Sequence, residues 1–304
     1  MTGTPRVVFG MPAYGRPDAL ARALECLLSQ TCSDFAIVIV DDKPSPEVEA
    51  IVETYATADP RITYEPNPVR LGMIGNWRKA FDHGRALYPS SEYFAWVSDH
   101  DMWHPRWLEV MVDALDSHPR AVMAYSQMQR VFPHERRAVT RLFDTVGLPG
   151  PAQRLRAATW EMTAGNCIYG LFRAAALEQA GVFRPVLMPD RQVLIALCLL
   201  GEFRQVPEVL WYREVAGVFS FSRQRRMFFA DRVPPLHTYL PANVQHFGVL
   251  LWDFAIRGRG RPAIGRLAGA GCAVLQIVYS VRRELTRHDA EWRTWFGRRL
   301  PATP

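Results

Sequence analysis

Three short, almost unbroken apolar runs, Arg6–Met11, Phe35–Val40 and Tyr93–Val97, recur through the first hundred positions, with a weaker one at Arg61–Glu65. Each is shorter than an ordinary helix, and their Val, Ile and Phe content favours strand. The intervening stretches carry helical spacing. Leu20, Leu24, Leu27 and Leu28 share one face of a helix expected over 18–30, and further helices are expected over 46–57 and 75–87. Buried strands separated by helices imply parallel pairing through right-handed crossovers. An α/β fold with a Rossmann-like layer is therefore expected.

The fourth run ends in Ser98-Asp99-His100-Asp101. Such a position lies at the carboxyl edge of the sheet, where open α/β sheets bind their ligands. Two aspartates this close repel one another unless a cation or a hydrogen-bond donor intervenes. A divalent metal with a diphosphate is one reading, and a cap for the helix entered at Pro105 is the other. That helix is expected over 105–117, followed by a strand at Ala121–Ser126. Gln129–Pro151 has no sustained period and reads as a candidate mobile loop. A second α/β segment comprises Cys167–Phe172, helices over 174–180 and 190–200, and two strands, Phe203–Val206 and Val209–Tyr212. Beyond Gly217 the pattern is helical or irregular.

Composition narrows the classes. The chain has 304 residues, 49% hydrophobic and 22% charged, as expected of a globular protein with a substantial core. Its five scattered cysteines form no Cys-x-x-Cys pair, which argues against a disulfide framework or a zinc ribbon and for a reducing compartment. Met1–Arg6 carries no signal-peptide pattern, so a cytoplasmic location is expected.

Three further segments resemble a known family. Phe9-Gly-Met-Pro-Ala-Tyr-Gly-Arg-Pro leads into a helix ending Leu27-Leu-Ser-Gln-Thr-Cys, similar to the P-x-Y-N … S-L-x-x-Q-T opening of the family-two inverting glycosyltransferases. Ile39-Val-Asp-Asp-Lys-Pro-Ser resembles that family's V-D-D-x-S with one residue inserted. Asp190, followed eleven positions later by Gly201 and then by VPEVLWYRE, resembles its E-D-x-x-L … G … I-P-E-x-L-x-Y-R segment. With the acidic cluster, the blocks match in order and spacing over roughly 6–215.

The resemblance implies a GT-A fold, with a nucleotide-binding part over about 1–104 and an acceptor-binding part over about 105–216. A basic helical extension, 217–304, follows. It implies that Pro12, Ala13, Tyr14 and Arg16 meet the nucleotide, that Asp42 accepts an N–H of the base, and that Asp99 and Asp101 serve the ribose and a metal-bridged diphosphate. The ion would be Mn²⁺ or Mg²⁺. Asp190 is implied as the general base for in-line attack, with a helix N-cap as its other reading. One catalytic carboxylate and direct displacement predict inversion. Arg213 resembles an arginine near the diphosphate, although a surface salt bridge fits equally. Trp103, with His104 and Trp107, stands beside the cluster and suits either a sugar pocket or the core. Gly165 and Asn166 are placed near the acceptor by resemblance alone.

The sequence departs from the family in two places. The usual metal carboxylate aligns with His100, so His100 or Asp101 would bind metal, or the enzyme would need none. Pro189 stands where an acid often precedes the base, and Arg191 follows it, where its charge would lower the pKa of Asp190.

Residues 251–304 hold ten arginines against four acids, which accounts for the whole net charge of +6. Within them Leu267–Val281 is an uncharged run of fifteen residues, too short to span a bilayer. It reads either as a buried helix or as an interfacial one, with Trp292, Trp295 and Phe296 among the following arginines. The second reading predicts peripheral attachment to an anionic membrane, on the inner face of the plasma membrane. No nucleic-acid-reading motif accompanies the charge. The expected partners are a UDP- or dTDP-sugar donor and a lipid-linked, saccharide or small-molecule acceptor. The competing readings are a sugar nucleotidyltransferase, disfavoured by the missing glycine-rich loop, and a catalytically degenerate membrane-associated assembly partner.

Overall fold

All seven residues of β1 (Val7–Ala13) are buried, and alternate side chains enter two different cores. Val7, Phe9 and Met11 join one cluster while Val8 joins the other, as a central strand covered on both faces requires. The computed structural model describes residues 3–131, 136–138, 143–162, 165–214, 221–230, 232–258 and 260–297, with backbone alone at 136–138, 165–166, 261 and 287–297.

After β1 come α1 (Pro17–Leu28), β2 (Phe35–Asp41), α2 (Pro46–Ala58), β3 (Ile62–Pro66), α3 (Gly72–Leu87) and β4 (Tyr93–Trp96). β2 runs parallel to β1 and β3, and β4 parallel to β1. The expected Rossmann-like layer is present. Then follow β5 (Met102–Trp103), α4 (Trp107–Asp116), β6 (Ala121–Val131), β7 (Arg136–Ala138), α5 (Pro151–Trp160), a 3-10 turn over Gly165–Tyr169, β8 (Leu171–Arg173), α6 (Ala174–Ala180), α7 (Pro189–Leu200) and β9 (Glu202–Glu214).

Among the described residues the strands form one nine-stranded sheet in the order β3-β2-β1-β4-β8-β6-β9-β5, with β7 beside β6. The second half is not parallel throughout: β8 is antiparallel to both β4 and β6, and β5 to β9. The two strands expected near 203–212 are one strand. Its pairing with β6 passes from Ser126↔Val206 directly to Gln127↔Val209, and Pro207, lacking an N–H, sits in the bulge. Cys167–Phe172 is mostly 3-10 turn, with only Leu171 and Phe172 in strand. The expected mobile loop is structured in part: β6 runs to Val131, and Phe143 and Thr145 are buried. Residues 132–135 and 139–142 lie outside the described residues.

Trp96 centres the larger core, with ring centroids at 4.9 Å from Phe183, 5.1 Å from Phe94 and 5.9 Å from Trp77. Burying a ring of this size contributes on the order of 2–3 kcal/mol. These rings tie α3 to the sheet and so fix where the helix starts.

The C-terminal region is α8 (Phe221–Phe228), a 3-10 turn (Leu236–Tyr239), α9 (Ala242–Leu251) continuing through a π-turn (Trp252–Ile256), α10 (Arg261–Ile264) and α11 (Arg266–Gly297). α8 packs on α3, and α11 on α5 and α9. No helix among the described residues is long and apolar enough to cross a membrane.

Candidate active site

The carboxyl ends of β1, β2 and β4 open onto one cleft of about 390 Å³. Pro12 at the end of β1 and Ser98, Asp99 and His100 beyond β4 line it, with Tyr14, Arg16 and Arg70 beside them. Asn76, Met73 and Trp77 of α3 contribute another wall, and Tyr169, Arg213 and Glu214 a third. Arg223 and Met227 reach in from α8.

Asp42 lines the cleft but is only 5% exposed. Its Oδ1 accepts the N–H of Leu71 at 2.6 Å and Nδ2–H of Asn67 at 3.0 Å, and its Oδ2 accepts the N–H of Gly72 at 2.8 Å. α3 has no side-chain cap of its own at Leu71, so a carboxylate from the end of β2 does that work across thirty residues. Asn76 completes the brace, donating to the carbonyls of Ala13 and Val40 at 3.2 and 3.0 Å. Ala13 thus shapes the site through its backbone. Gly72 has φ +79°, and a Cβ there would stand 2.4 Å from the carbonyl oxygen of Phe228. Only glycine suits both constraints, and α8 is seated against it.

Asp99 faces the cleft. Its Oδ2 accepts the N–H of Tyr14 at 2.8 Å, and His100 Nδ1 lies 2.7 Å from its Oδ1. Because an ionised carboxylate only accepts, that nitrogen carries the proton. The Tyr14 ring is largely exposed, with Lys43 Nζ at 5.8 Å and the Arg70 guanidinium at 5.0 Å from its centroid. Asp101 is different. It is 2% exposed and does not line the cleft. Its oxygens accept the N–H of Glu214 at 3.0 Å and Trp211 Nε1–H at 3.2 Å. Burial pushes its carboxyl above the usual range. In this arrangement Asp101 ties the acidic loop to β9 and presents no oxygen to a ligand.

The cleft therefore holds four arginines, Arg16, Arg70, Arg213 and Arg223, against the carboxylates of Asp42, Asp99 and Glu214. This cationic excess suits a diphosphate. Asp99 and His100 offer oxygen and imidazole donors to a divalent ion. Among the described residues no three His, Cys, Asp or Glu side chains converge as a complete metal site. A Mg²⁺-like ion bound through one or two side chains plus substrate phosphates and water does not require three.

Asp190 opens α7 behind Pro189. It is only partly exposed and closely surrounded by protein, and that enclosure raises its carboxyl pKa. The N–H groups of Arg191 and of Asp190 itself, and the charges of Arg213 and Arg191, pull the other way without cancelling it. Asp190 does not line the cleft, but its charge is felt by Tyr169, which does. The 3-10 turn that begins at Gly165 and Asn166 packs on α7 and carries Tyr169 to the cleft. The side chain of Asn166 lies outside the described residues.

Three expectations are placed elsewhere. Trp103 and Trp107 are core residues, 2% and 1% exposed, and do not reach the cleft. The aromatic surroundings of the acidic cluster belong to packing between α1, α4 and β9. His104 is likewise off the cleft, its N–H donating to the carbonyl of Leu210 at 2.9 Å. Arg191 points into a second cavity, where its Nη2 donates to the carbonyl of Thr159 at 3.1 Å. Conversely, the sequence reading passed over Arg70, Trp77, Tyr169 and Arg223. One available signal was Asn76, a polar residue on the apolar face of α3 between Ile74, Trp77 and Ala80.

Residues 9–181, more than half the chain, match the profile of Glycosyl transferase family 2. The chain belongs to that family. It is 30% identical over 114 residues to WcaA of Escherichia coli (strain K12), named as a colanic acid biosynthesis glycosyl transferase, covering 37% of this chain and 38% of that protein. It is 29% identical over 128 residues to Protein CgeD of Bacillus subtilis (strain 168), covering 41% and 30%. The matches thus span well under half of these relatives' own length. Among solved structures it resembles S. aureus TarS 1–349 in complex with UDP, with a TM-score of 0.54 at 13% identity over 93% of this chain and 92% of that one. It also resembles the mannosyltransferase PcManGT from Pyrobaculum calidifontis in complex with GDP-Man and Mn²⁺, with a TM-score of 0.54 at 15% identity over 96% and 81%. The chain thus has a GT-A fold followed by C-terminal helices.

Proposed function

We propose that the protein is an inverting glycosyltransferase that moves a hexosyl group from a UDP- or dTDP-sugar to an acceptor hydroxyl, in the synthesis of a cell-surface polysaccharide, glycolipid or glycosylated metabolite. The observation that carries this reading is the cleft at the carboxyl edge, lined by Asp99 and four arginines. The UDP and GDP-mannose held by the structural neighbours and the name of WcaA support it.

The base packs on Tyr14 and Pro12 and donates an N–H to Asp42. Asp99 holds the ribose, and the arginines take the diphosphate charge. Asp99 and His100 would hold Mn²⁺ or Mg²⁺, which supplies charge neutralisation for the leaving diphosphate. Asp190 removes the acceptor hydroxyl proton as the acceptor oxygen bonds to the anomeric carbon and the bond from that carbon to the phosphate oxygen breaks. A raised pKa makes Asp190 a stronger base than an ordinary aspartate. Incubation with nucleotide sugars and Mn²⁺, followed by ¹H NMR of the anomeric signal, tests the reading. Product of inverted configuration supports it, and retained configuration sinks it.

The same reading places the enzyme on an anionic membrane through α11. Leu267, Val274, Val278, Val281 and Leu285 recur at helical spacing and are each at least 42% exposed, with Arg266 and Arg282 alongside. The side chains of Trp292, Trp295 and Phe296 lie outside the described residues. Each arginine near such a surface contributes about 1 kcal/mol, weakened by salt. Flotation with anionic vesicles at low salt should exceed that of a Val274→Ser/Val278→Ser/Val281→Ser variant. Equal flotation, or none, removes the membrane from the account.

A further inference from the structure

The chain between α6 and α7, residues 181–188, delivers Asp190 and is neither helix nor strand. Val182 and Met188 both hold φ in the left-handed region, at +56° and +51°. Residues with side chains keep that conformation where their surroundings impose it. Met188 is also the residue from which α7 hangs. It has no side-chain cap, and its carbonyl accepts the first helical bond, from the N–H of Gln192 at 3.1 Å.

What imposes this path comes largely from the C-terminal helices. Two consecutive residues of α9 take both backbone groups of Leu187. Its N–H donates to Gln245 Oε1 at 2.9 Å, and its carbonyl accepts His246 Nε2–H at 2.8 Å. Both side chains are buried, at 5% and 3% exposure. Gln245 is itself fixed, because its Nε2 donates to the carbonyl of Leu240 at 2.7 Å and so turns the acceptor end toward Leu187. Earlier in the same segment, Arg184 pairs with both oxygens of the buried Asp253, at 2.5 and 3.2 Å, and His237 Nε2–H donates to the carbonyl of Pro185 at 2.7 Å.

From Leu187 to Asp190 the chain has few soft torsions. Peptide planes are rigid and the ring of Pro189 fixes its own φ. Holding the Leu187 peptide groups therefore sets where the Asp190 carboxylate stands. We infer that Gln245 and His246 are positioning residues for the transfer reaction, acting through Leu187 on Asp190. This rests on the glycosyltransferase reading with Asp190 as the base. It makes α9 part of the catalytic apparatus as well as a packing partner of α11.

The test follows Asp190 itself. In protein carrying ¹³C-labelled aspartate, the carboxyl signal missing from Asp190→Asn identifies it. Its titration is compared in wild type, Gln245→Met, His246→Ala and His246→Gln, beside the Tm of each. In wild type it should lie above the ordinary aspartate range, since enclosure raises it. The charges that act on it, Arg191 from its own helix and Arg213 from β9, are untouched by these variants. Gln245→Met, which keeps the side-chain length without the acceptor, and His246→Ala should bring the titration back toward the ordinary range. His246→Gln should preserve it, because glutamine still donates to Leu187. Where His246→Ala fails to fold, Gln245→Met carries the comparison. A lower Tm with an unmoved Asp190 titration would mean a merely structural role and overturns the inference.

Transfer from the best donor of a UDP-sugar panel gives the second readout. Gln245→Met and His246→Ala should each lower kcat by about tenfold or more with donor KM unchanged, as misplacement of a reacting group implies. Neither should cost anything further once Asp190→Asn is present, because residues acting as a unit are not additive. Losses that multiply in the double variants overturn positioning through Asp190. Near-normal turnover of Asp190→Asn alone would instead remove the base assignment, a result separate from whether the titration follows α9.

Discussion

Asp42 and Gly72 are thirty residues apart in sequence, yet the carboxylate of one accepts the backbone N–H of the other at 2.8 Å. With Leu71 also donating to Asp42, the start of α3 is anchored to the end of β2, and the cleft wall made by Asn76 and Trp77 is anchored with it. A hydrogen bond to a charged group is worth about 1.5–3 kcal/mol. Asp42→Ala removes two from backbone donors and leaves them without this acceptor, the Gly72 N–H buried and the Leu71 N–H partly so. It should destabilise the protein by about 2–4 kcal/mol in chemical denaturation, with nucleotide binding lost as well. Asp42→Asn should cost less stability, because its amide oxygen can still accept one N–H. Equal stability of wild type and Asp42→Ala would mean the cap does not hold α3.

If Asp190 is the proposed base, its stability and turnover effects should oppose one another. Its carboxyl is raised by burial, so the folded state binds its proton more readily than the unfolded chain does. A raised acid favours folding fully only below its unfolded pKa, and that contribution is lost as pH rises through the folded value. At neutral pH the ionised group is therefore a burden. Asp190→Asn should unfold at a higher temperature than wild type while losing about a hundredfold or more in turnover. The acid limb of the wild-type pH–rate profile should lie above the ordinary aspartate range and vanish in the variant. Near-normal turnover would dismiss Asp190 as the base.

His246 gives the opposite pH dependence. Burial lowers its pKa to about 4, against about 6.5 in an unfolded chain. Between these values the unfolded state holds more protons, so stability falls as pH drops from about 6.5 toward 4. The loss amounts to roughly 3 kcal/mol in order of magnitude. His246→Gln, which can still donate to the carbonyl of Leu187, should flatten this part of the stability–pH curve. An unchanged slope would assign the acid sensitivity to other groups.

The β/α/β/α start was legible because central parallel strands are buried on both faces and so read as unbroken apolar runs. Asp42, Asp99 and Tyr14 were legible for the same reason: each follows such a run at the sheet's carboxyl edge. The mixed second half was not, since β8 has only three residues and β9 is interrupted by Pro207. Trp103 could not be resolved from sequence, because an aromatic next to acids fits a sugar pocket and a core equally well. Asp101 looked like the twin of Asp99, but the Trp211 indole and the Glu214 N–H, both brought in by β9, draw it inward. Arg70, Tyr169 and Arg223 come from three separate elements and carry no local pattern. Only the packing of α8 on α3 and of the 3-10 turn on α7 brings them to one cleft.

The most direct measurement of the central claim is a thermal-shift panel of nucleoside diphosphates, with Mn²⁺ and with EDTA, on the wild type and Asp99→Ala. Asp99 is the acidic-loop carboxylate that lines the cleft, and a ligand that binds the folded state raises its stability by mass action. The expected result is one base, uracil or thymine, standing out in the wild type, with Mn²⁺ enlarging the shift and Asp99→Ala losing most of it. No shift with any nucleoside diphosphate, or the same shift in Asp99→Ala, would contradict the account.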